Sequence, residues 1–312
     1  MNELLCVGLT TLDVVARPLE SLPEDDGLAL IEEVAVAPAG TAAGAAYVAA
    51  ALGVRAALAA QVGSDATGRT VRGLLEAQGV DTRLLAVHPS LPTSTTIILV
   101  RSCGARSRLH APGAGRAMTI GTDLAEAARS TRFLHHAAIG GLHTDGGPGR
   151  EFLARARAGG ATITCDLISP RANAAEELAG LLPYVDYFMP NASEALGLSG
   201  ADTLEHASEW FIALGARCCI LKDGAAGSLF VKDSIMERIP AHDIVPKDTT
   251  SCGDSYCAGF IAARLKGADE ISACRLATAV AALVAQGLGT LGKLESYEKA
   301  QTFMETAPLR RA

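Results

Sequence analysis

At 312 residues, 49% of them apolar and 20% charged, the chain is long enough to bury the core of one large domain or of a domain with a subdomain. Its formal net charge of -7 leaves no basic excess to neutralise a phosphate backbone or an anionic lipid surface, which argues against nucleic acid and membrane as partners. The eight cysteines form no CxxC pair, and Cys6, Cys165, Cys218 and Cys219 sit in apolar runs, as expected of reduced core thiols.

In chain order, MNELLCVGLTTLDVV has no cationic region ahead of its apolar run, and nowhere do eighteen apolar residues follow one another, so a cytoplasmic protein is expected. LLCVGL reads as a strand, AAGAAYVAAALG as a helix stopped by Gly53, RAALAAQVG as a strand and TVRGLLEAQG as a helix capped by Gly79. RFLHHAAIG, ATITCDLIS, DYFMPN and RCCILKDG continue as apolar strands alternating with PGREFLARARAGG and TLEHASEWFIALG as helices. This alternation predicts a parallel sheet covered by helices on both faces. Leu28 to Val36, and Thr93 to Arg101 returning through CGAR to Leu109, break the pattern and read as antiparallel strands of a small projecting sheet.

Three motifs are decoys. GSDATGRT, Gly63 to Thr70, resembles a phosphate loop but has arginine where that loop needs lysine. GLGTLG, Gly287 to Gly292, follows a helix where a dinucleotide fingerprint follows a strand, which removes the support for a NAD-dependent oxidoreductase. His135, His136, His143 and Asp145 lack metal-ligand spacing, and adjacent strand residues point to opposite faces.

DTTSCGDSYCAGF, Asp248 to Phe260, is different. Tyr256, Phe260, Ile261 and Leu265 recur at helical spacing, so a helix starts near Gly253 or Asp254. Its first turn presents unpaired N–H groups, and Ser251, Cys252 and Gly253 are small enough for an anion to reach the backbone. The bland alternative is a capped helix with Asp254 offsetting the dipole. A carboxylate beside an anion cradle, however, supplies both a base and phosphoryl donors from one segment, with Asp248 and Thr249 bracing the loop by side-chain to backbone bonds.

The segment resembles the signature of the ribokinase-like, PfkB-type carbohydrate kinases, usually written DTTGAGDxFxAGF. The likeness extends through VGLTTLD, PAGTAAGAAYVAAALG, QVGSDATGRTVRGLLEAQGVDT, NASE and LKDGAAGSLF. It implies an α/β, three-layer αβα ribokinase-like fold with a mainly parallel central sheet and a small β-sheet lid, the core being residues 1–12, 37–91 and 112–312 and the lid 13–36 and 92–111.

The resemblance further implies ATP and Mg²⁺ as cofactors, with room for a monovalent cation. It makes Asp254 the general base and the N–H groups of Ser251, Cys252, Gly253 and Asp254 the anion hole. Asn191 and Glu194 would hold Mg²⁺ through water; Lys222, Gly224, Gly227 and Thr249 would lie along the nucleotide phosphates; and Val245, Ala279 and Ala282 would flank adenine. Asp13, Gly40 and Gly44 would meet a sugar-like substrate.

Two departures matter. Cys252, where alanine, glycine or serine is usual, predicts a reactive thiol at a helix N-terminus. Gly44 stands where the family has an asparagine, so substrate identity does not carry over. Arg101, Arg106, Arg108 and Arg171 leave room for an acidic or phosphorylated sugar. The rival readings are a nucleoside kinase of the same fold, which the 4% aromatic content disfavours, and a catalytically silent sugar-binding relative. Edges of the lid strands could pair two subunits in a homodimer.

Overall fold

The computed structural model describes residues 2–139, 148–168 and 174–311. The strands are β1 (Leu4–Val7), β2 (Thr11–Arg17), β3 (Glu33–Ala39), β4 (Ala56–Gly63), β5 (Leu85–His88), β6 (Thr95–Val100), β7 (Arg106–Ala111), β8 (Phe133–Ile139), β9 (Thr162–Leu167), β10 (Tyr187–Phe188), β11 (Cys219–Lys222), β12 (Ser228–Lys232) and β13 (Ile235–Ile239). The helices are α1 (Thr41–Ala51), α2 (Ala66–Ala77), α3 (Thr122–Arg129), α4 (Pro148–Ala158), α5 (Ala174–Leu181), α6 (Ala192–Ser199), α7 (Leu204–Ala213), α8 (Cys252–Leu265), α9 (Glu270–Ala285) and α10 (Tyr297–Thr306).

Nine strands form one sheet in the order β13-β12-β11-β10-β9-β8-β1-β4-β5, parallel except for the β11–β12–β13 meander at one edge. Neighbouring residues on β1 show why its strands are apolar throughout. Leu4 and Cys6 join a cluster with α1, α8 and α9, whereas Leu5 and Val7 join a second cluster with α4, α5 and α7 on the opposite face. The fold is therefore the expected three-layer, ribokinase-like α/β arrangement. Between α8 and α9 a Cβ on Gly259 would come within 3.0 Å of Ala277 and Val280, and this close approach packs the middle of α8 against α9.

A separate four-stranded sheet, β3-β2-β6-β7, forms the lid. β6 and β7 return antiparallel as the sequence predicts. The strand expected at Leu28 to Val36 instead begins at Glu33 and runs to Ala39. Pro18 and Pro23 interrupt the approach and Asp25 takes a left-handed φ of 47°, so the chain reaches the sheet only after this irregular stretch. Val36, Val14, Ile97 and Leu109 pair in one row across the lid, and Val36, Ile97 and Leu109 are 48%, 44% and 55% exposed, which makes the outer face of the sheet apolar.

The cysteines are all free, and the buried majority lie in the core as thiols. His135 and His136 are wholly buried and held neutral by that burial, with His135 Nδ1 2.8 Å from Thr164 Oγ1; His143 and Asp145 lie outside the described residues. Among the described residues no helix is long and apolar enough to cross a membrane, and no cluster of His, Cys, Asp and Glu could hold a metal directly.

Candidate active site

The phosphate-loop lookalike is closed on itself: Asp65 caps α2 by accepting from Gly68 N at 2.8 Å and also takes Thr93 N at 2.8 Å and Thr93 Oγ1 at 2.6 Å. The GLGTLG turn is likewise structural. Gly289 N donates to Asp248 Oδ2 at 3.1 Å, Thr290 Oγ1 donates to the Pro38 carbonyl at 2.8 Å, and Leu288 packs against the lid cluster of Val15, Ile98 and Val100.

A cleft of about 680 Å³ runs between the lid and the ends of the central strands. Its floor is the start of α8. Ser251, the N-cap, adopts the left-handed conformation (φ 55°, ψ 10°), a costly choice for a residue with a Cβ and the kind of strain that concentrates at working sites. Among the described residues, the Gly253 and Asp254 amides have no backbone carbonyl partner, as first-turn donors should not. Asp248, 1% exposed, accepts from Thr250 N at 2.9 Å and Thr250 Oγ1 at 2.6 Å, and so braces the loop that leads into this turn. The side-chain partner is thus Thr250, buried, and not Thr249, which lies exposed on the cleft rim.

Asp254 faces the cleft from one side and protein from the others. Burial first, and then the Asp166 carboxylate, push its carboxyl up to about 8; Lys222 opposes the rise, and Asp13 and Glu194 add to it. Beneath it, Lys222 Nζ donates to Asp166 Oδ2 at 2.6 Å and lies 3.6 Å from Cys257 Sγ. A Cβ on Gly253 would be 3.4 Å from that ammonium, so the positive charge sits directly under the cradle. Burial alone would depress the lysine, but the Asp166 carboxylate, with Cys257 and Asp254, holds it well above its usual range. Lys222 is therefore not a solvated loop charge; its ammonium is committed to Asp166.

Asn191 caps α6 in a reciprocal box, accepting from Glu194 N at 2.9 Å while its own N–H donates to Glu194 Oε2 at 3.1 Å. Both line the cleft with Lys222, Gly224, Gly227, Thr249, Ser251, Cys252, Gly253, Asp254 and Ala282. Two expected adenine neighbours do not. Val245 is 89% exposed, and Ile244 and Pro246 line the cleft in its place; Ala279 is fully buried in the core, and Thr278, Ala281 and Ala285 line the wall.

The residues expected to meet substrate, Asp13, Gly40 and Gly44, are not among those lining this cleft; Asp13 is 6% exposed and held above its ordinary range by burial, with Thr11 Oγ1 donating to it at 2.7 Å. Gly40 has φ 88°, and a Cβ there would be 2.8 Å from the Leu9 carbonyl, so the turn into α1 requires glycine. A Cβ at Gly44 would be 3.1 Å from Asp254 Oδ2; glycine there leaves space over the carboxylate. Thr41, which sequence reasoning missed, does line the cleft, and among the described residues its hydroxyl has no partner.

The electrostatics at Cys252 run against a reactive thiol, although the residue is half-buried and lines the cleft. Burial, with Asp248 second, pushes its thiol up to about 12, and the thiol faces the Ala281 carbonyl at 3.7 Å; the low dielectric around it outweighs the helix N-terminus.

A PfkB model, described as the pfkB family carbohydrate kinase, matches residues 1–296, and the chain belongs to that family. It is 26% identical over 308 residues to the "Nucleoside kinase" of Methanothermobacter thermautotrophicus, covering 93% of this chain and 91% of that protein. It is 29% identical over 285 residues to the "ATP-dependent ribose-1-phosphate kinase" of Halopiger xanaduensis, covering 91% and 92%. In fold it is similar to a putative Ribokinase II of E. coli solved in complex with ATP and Mg²⁺, with a TM-score of 0.84, 21% identity, and 98% and 99% of the two chains covered.

Two outcomes follow from this geometry. Lys222→Met strands a buried carboxylate at Asp166 and is expected to cost about 3–5 kcal/mol in urea unfolding, much of it regained in the Asp166→Asn, Lys222→Met double variant. Iodoacetamide at neutral pH should label the exposed Cys103 before Cys252, with turnover retained; rapid alkylation of Cys252 would contradict a thiol held in its protonated form.

Proposed function

We propose that the protein is an ATP-dependent, Mg²⁺-requiring kinase that transfers the γ-phosphoryl group to a hydroxyl of a sugar or sugar-derived acceptor, with Asp254 as general base. The observation that carries this reading is the juxtaposition on the cleft floor of the Asp254 carboxylate, the unengaged amides of the first α8 turn and the Lys222 ammonium beneath them.

In this reading Asp254 takes the proton of the acceptor hydroxyl as that oxygen attacks. The amides of residues 251–254 receive the negative charge of the transferring group as preformed donors, needing no reorganisation. Asp13 accepts hydrogen bonds from the acceptor's other hydroxyls and fixes its orientation, with Gly44 keeping the space over Asp254 clear and Gly40 allowing the turn into α1. Asn191 and Glu194 fit a magnesium held through water, because their mutual capping box holds both oxygen-bearing side chains at the cleft wall. Bound with ATP, the ion would neutralise phosphate charge. Gly224 and Gly227 let the main chain approach the phosphates, with φ of 55° and 91°.

The similarity to a nucleoside kinase keeps a nucleoside acceptor as the second reading. The cleft lining favours a sugar, since its aromatic side chains are Tyr256, buried with its hydroxyl on Ser228 Oγ at 2.8 Å, and His242, packed against Phe303. The apolar outer row of the lid supports self-association, the same row of a second copy being its cover across a two-fold axis.

The test is ATP-coupled turnover against hexoses, pentoses, sugar acids, sugar phosphates and nucleosides. Asp254→Asn should lose about 100-fold or more of kcat. Because only the ionised carboxylate accepts a proton, and burial raises its pKa to about 8, kcat/KM should climb as pH rises toward that value. Wild-type turnover in Asp254→Asn would sink the assignment. Separately, sedimentation velocity should show a dimer that Ile97→Asp converts to monomer; a monomeric wild type removes the self-association reading.

A further inference from the structure

β7 is the edge strand of the lid, and every residue of it is exposed. Its side chains alternate between the two faces. Leu109 belongs to the outer apolar row, so Arg106, Arg108 and His110 share the other face. That face looks into the cleft: Arg106 reaches across to donate to Thr250 Oγ1 at 3.1 Å and lies 3.9 Å from Asp248 Oδ1, and both Arg106 and Arg108 line the cleft with Asp254. His110 Nδ1 is 3.2 Å from Thr96 Oγ1, and Thr96 is in register with Asp13 on β2.

The two arginines differ in what they hold. Arg106 is committed to the buried Asp248, whereas among the described residues no carboxylate, carbonyl or hydroxyl pairs with Arg108. A guanidinium presents five donors in a planar fork and no acceptor, and carboxylate, phosphate and sulfonate oxygens are the groups that match it two at a time. The carboxylates of Asp13 and Asp254 suit hydroxyls and would repel an anion, so an acceptor lying across both must keep its charged end away from them. In the sheet plane Arg108 is two strands and two residues from Asp13, roughly 12 Å between backbones from the usual strand spacing and rise. That separation lets one end of a sugar sit at Asp13 while the other meets the arginine's long side chain.

We propose that Arg108 is a specificity residue for an anionic substituent on the acceptor, and that the substrate class is a sugar phosphate or sugar acid. This rests on the kinase reading above. Arg101 has no part in the site: it closes the turn at the far end of the hairpin, bonding Ala105 through its backbone, and does not line the cleft, while Arg171 lies outside the described residues.

The test compares wild type, Arg108→Ala and Arg108→Lys on matched acceptors: ribose with ribose 5-phosphate, fructose with fructose 6-phosphate, glucose with gluconate. The phosphate and carboxylate arms tell the two anion types apart. In wild type, kcat/KM for one charged member should exceed that for its neutral partner by about tenfold or more. Arg108→Ala should raise the acceptor KM and erase that preference, Arg108→Lys should restore only part of it, and the KM for ATP should stay within about threefold. A wild-type preference for neutral sugars or nucleosides overturns the inference, as does a rise in the ATP KM in place of the acceptor KM, which would make Arg108 a nucleotide contact. Binding of the same compounds to the Asp254→Asn protein, by calorimetry, is read independently of turnover. An anionic sugar bound through Arg108 without phosphorylation by wild type refutes the kinase and keeps the inference, whereas no binding of any anionic acceptor refutes the inference.

Discussion

The buried carboxylate of Asp248 is the junction on which the site's assembly depends. One oxygen takes both donors of Thr250 and so sets the loop that delivers the backbone into α8. The other takes Gly289 N from the turn that packs Leu288 under the lid and bonds Pro38 through Thr290. Arg106 then brings the lid's edge strand to the same point. A buried carboxylate left without these donors would be expensive, so floor, turn and lid are tied together by the requirement to satisfy it.

Electrostatics divides the cleft along its length. Below the cradle the buried Lys222 ammonium is fixed in place by its pair with Asp166, which offsets its charge and keeps it from moving into solvent. On the other side Asp13 adds to the rise in the Asp254 proton affinity that burial begins, while Asp13 itself is raised by its own burial and, more weakly, by Asp248. Carboxylates at Asp13 and Asp254 and a paired ammonium beneath the cradle give the cleft an uneven distribution of charge, the asymmetry that the proposed transfer would use.

Much of this was legible in the sequence, for identifiable reasons. The parallel sheet could be read because strands buried on both faces must be apolar at every residue, as Leu4 to Val7 are. The start of α8 could be read because its small polar residues give way abruptly to helical periodicity. What could not be read were relations between distant segments: Lys222 finds Asp166 at a separation of 56 residues, and Arg106 finds Thr250 at 144. Val245 and Ala279 were misplaced for the same reason, since which side of a loop or helix faces a cleft is set by tertiary packing. The helix N-terminus suggested an activated Cys252, and only the packing around the thiol shows that desolvation prevails. The later start of β3 reflects the two prolines and the left-handed Asp25, which the apolar residues at Leu28, Leu30 and Ile31 masked.

Ser251 stands where the usual pattern has glycine, yet it keeps the left-handed backbone that glycine would adopt freely. The functional information at this position is accordingly a handedness of the main chain, not the identity of a side group. Neighbouring bonds hold the turn, the Ser255 hydroxyl and amide donating to the Ser251 carbonyl at 2.7 Å and 2.8 Å. A turn of this shape is thus specified here by the bonds around it, without the conformational freedom of a glycine.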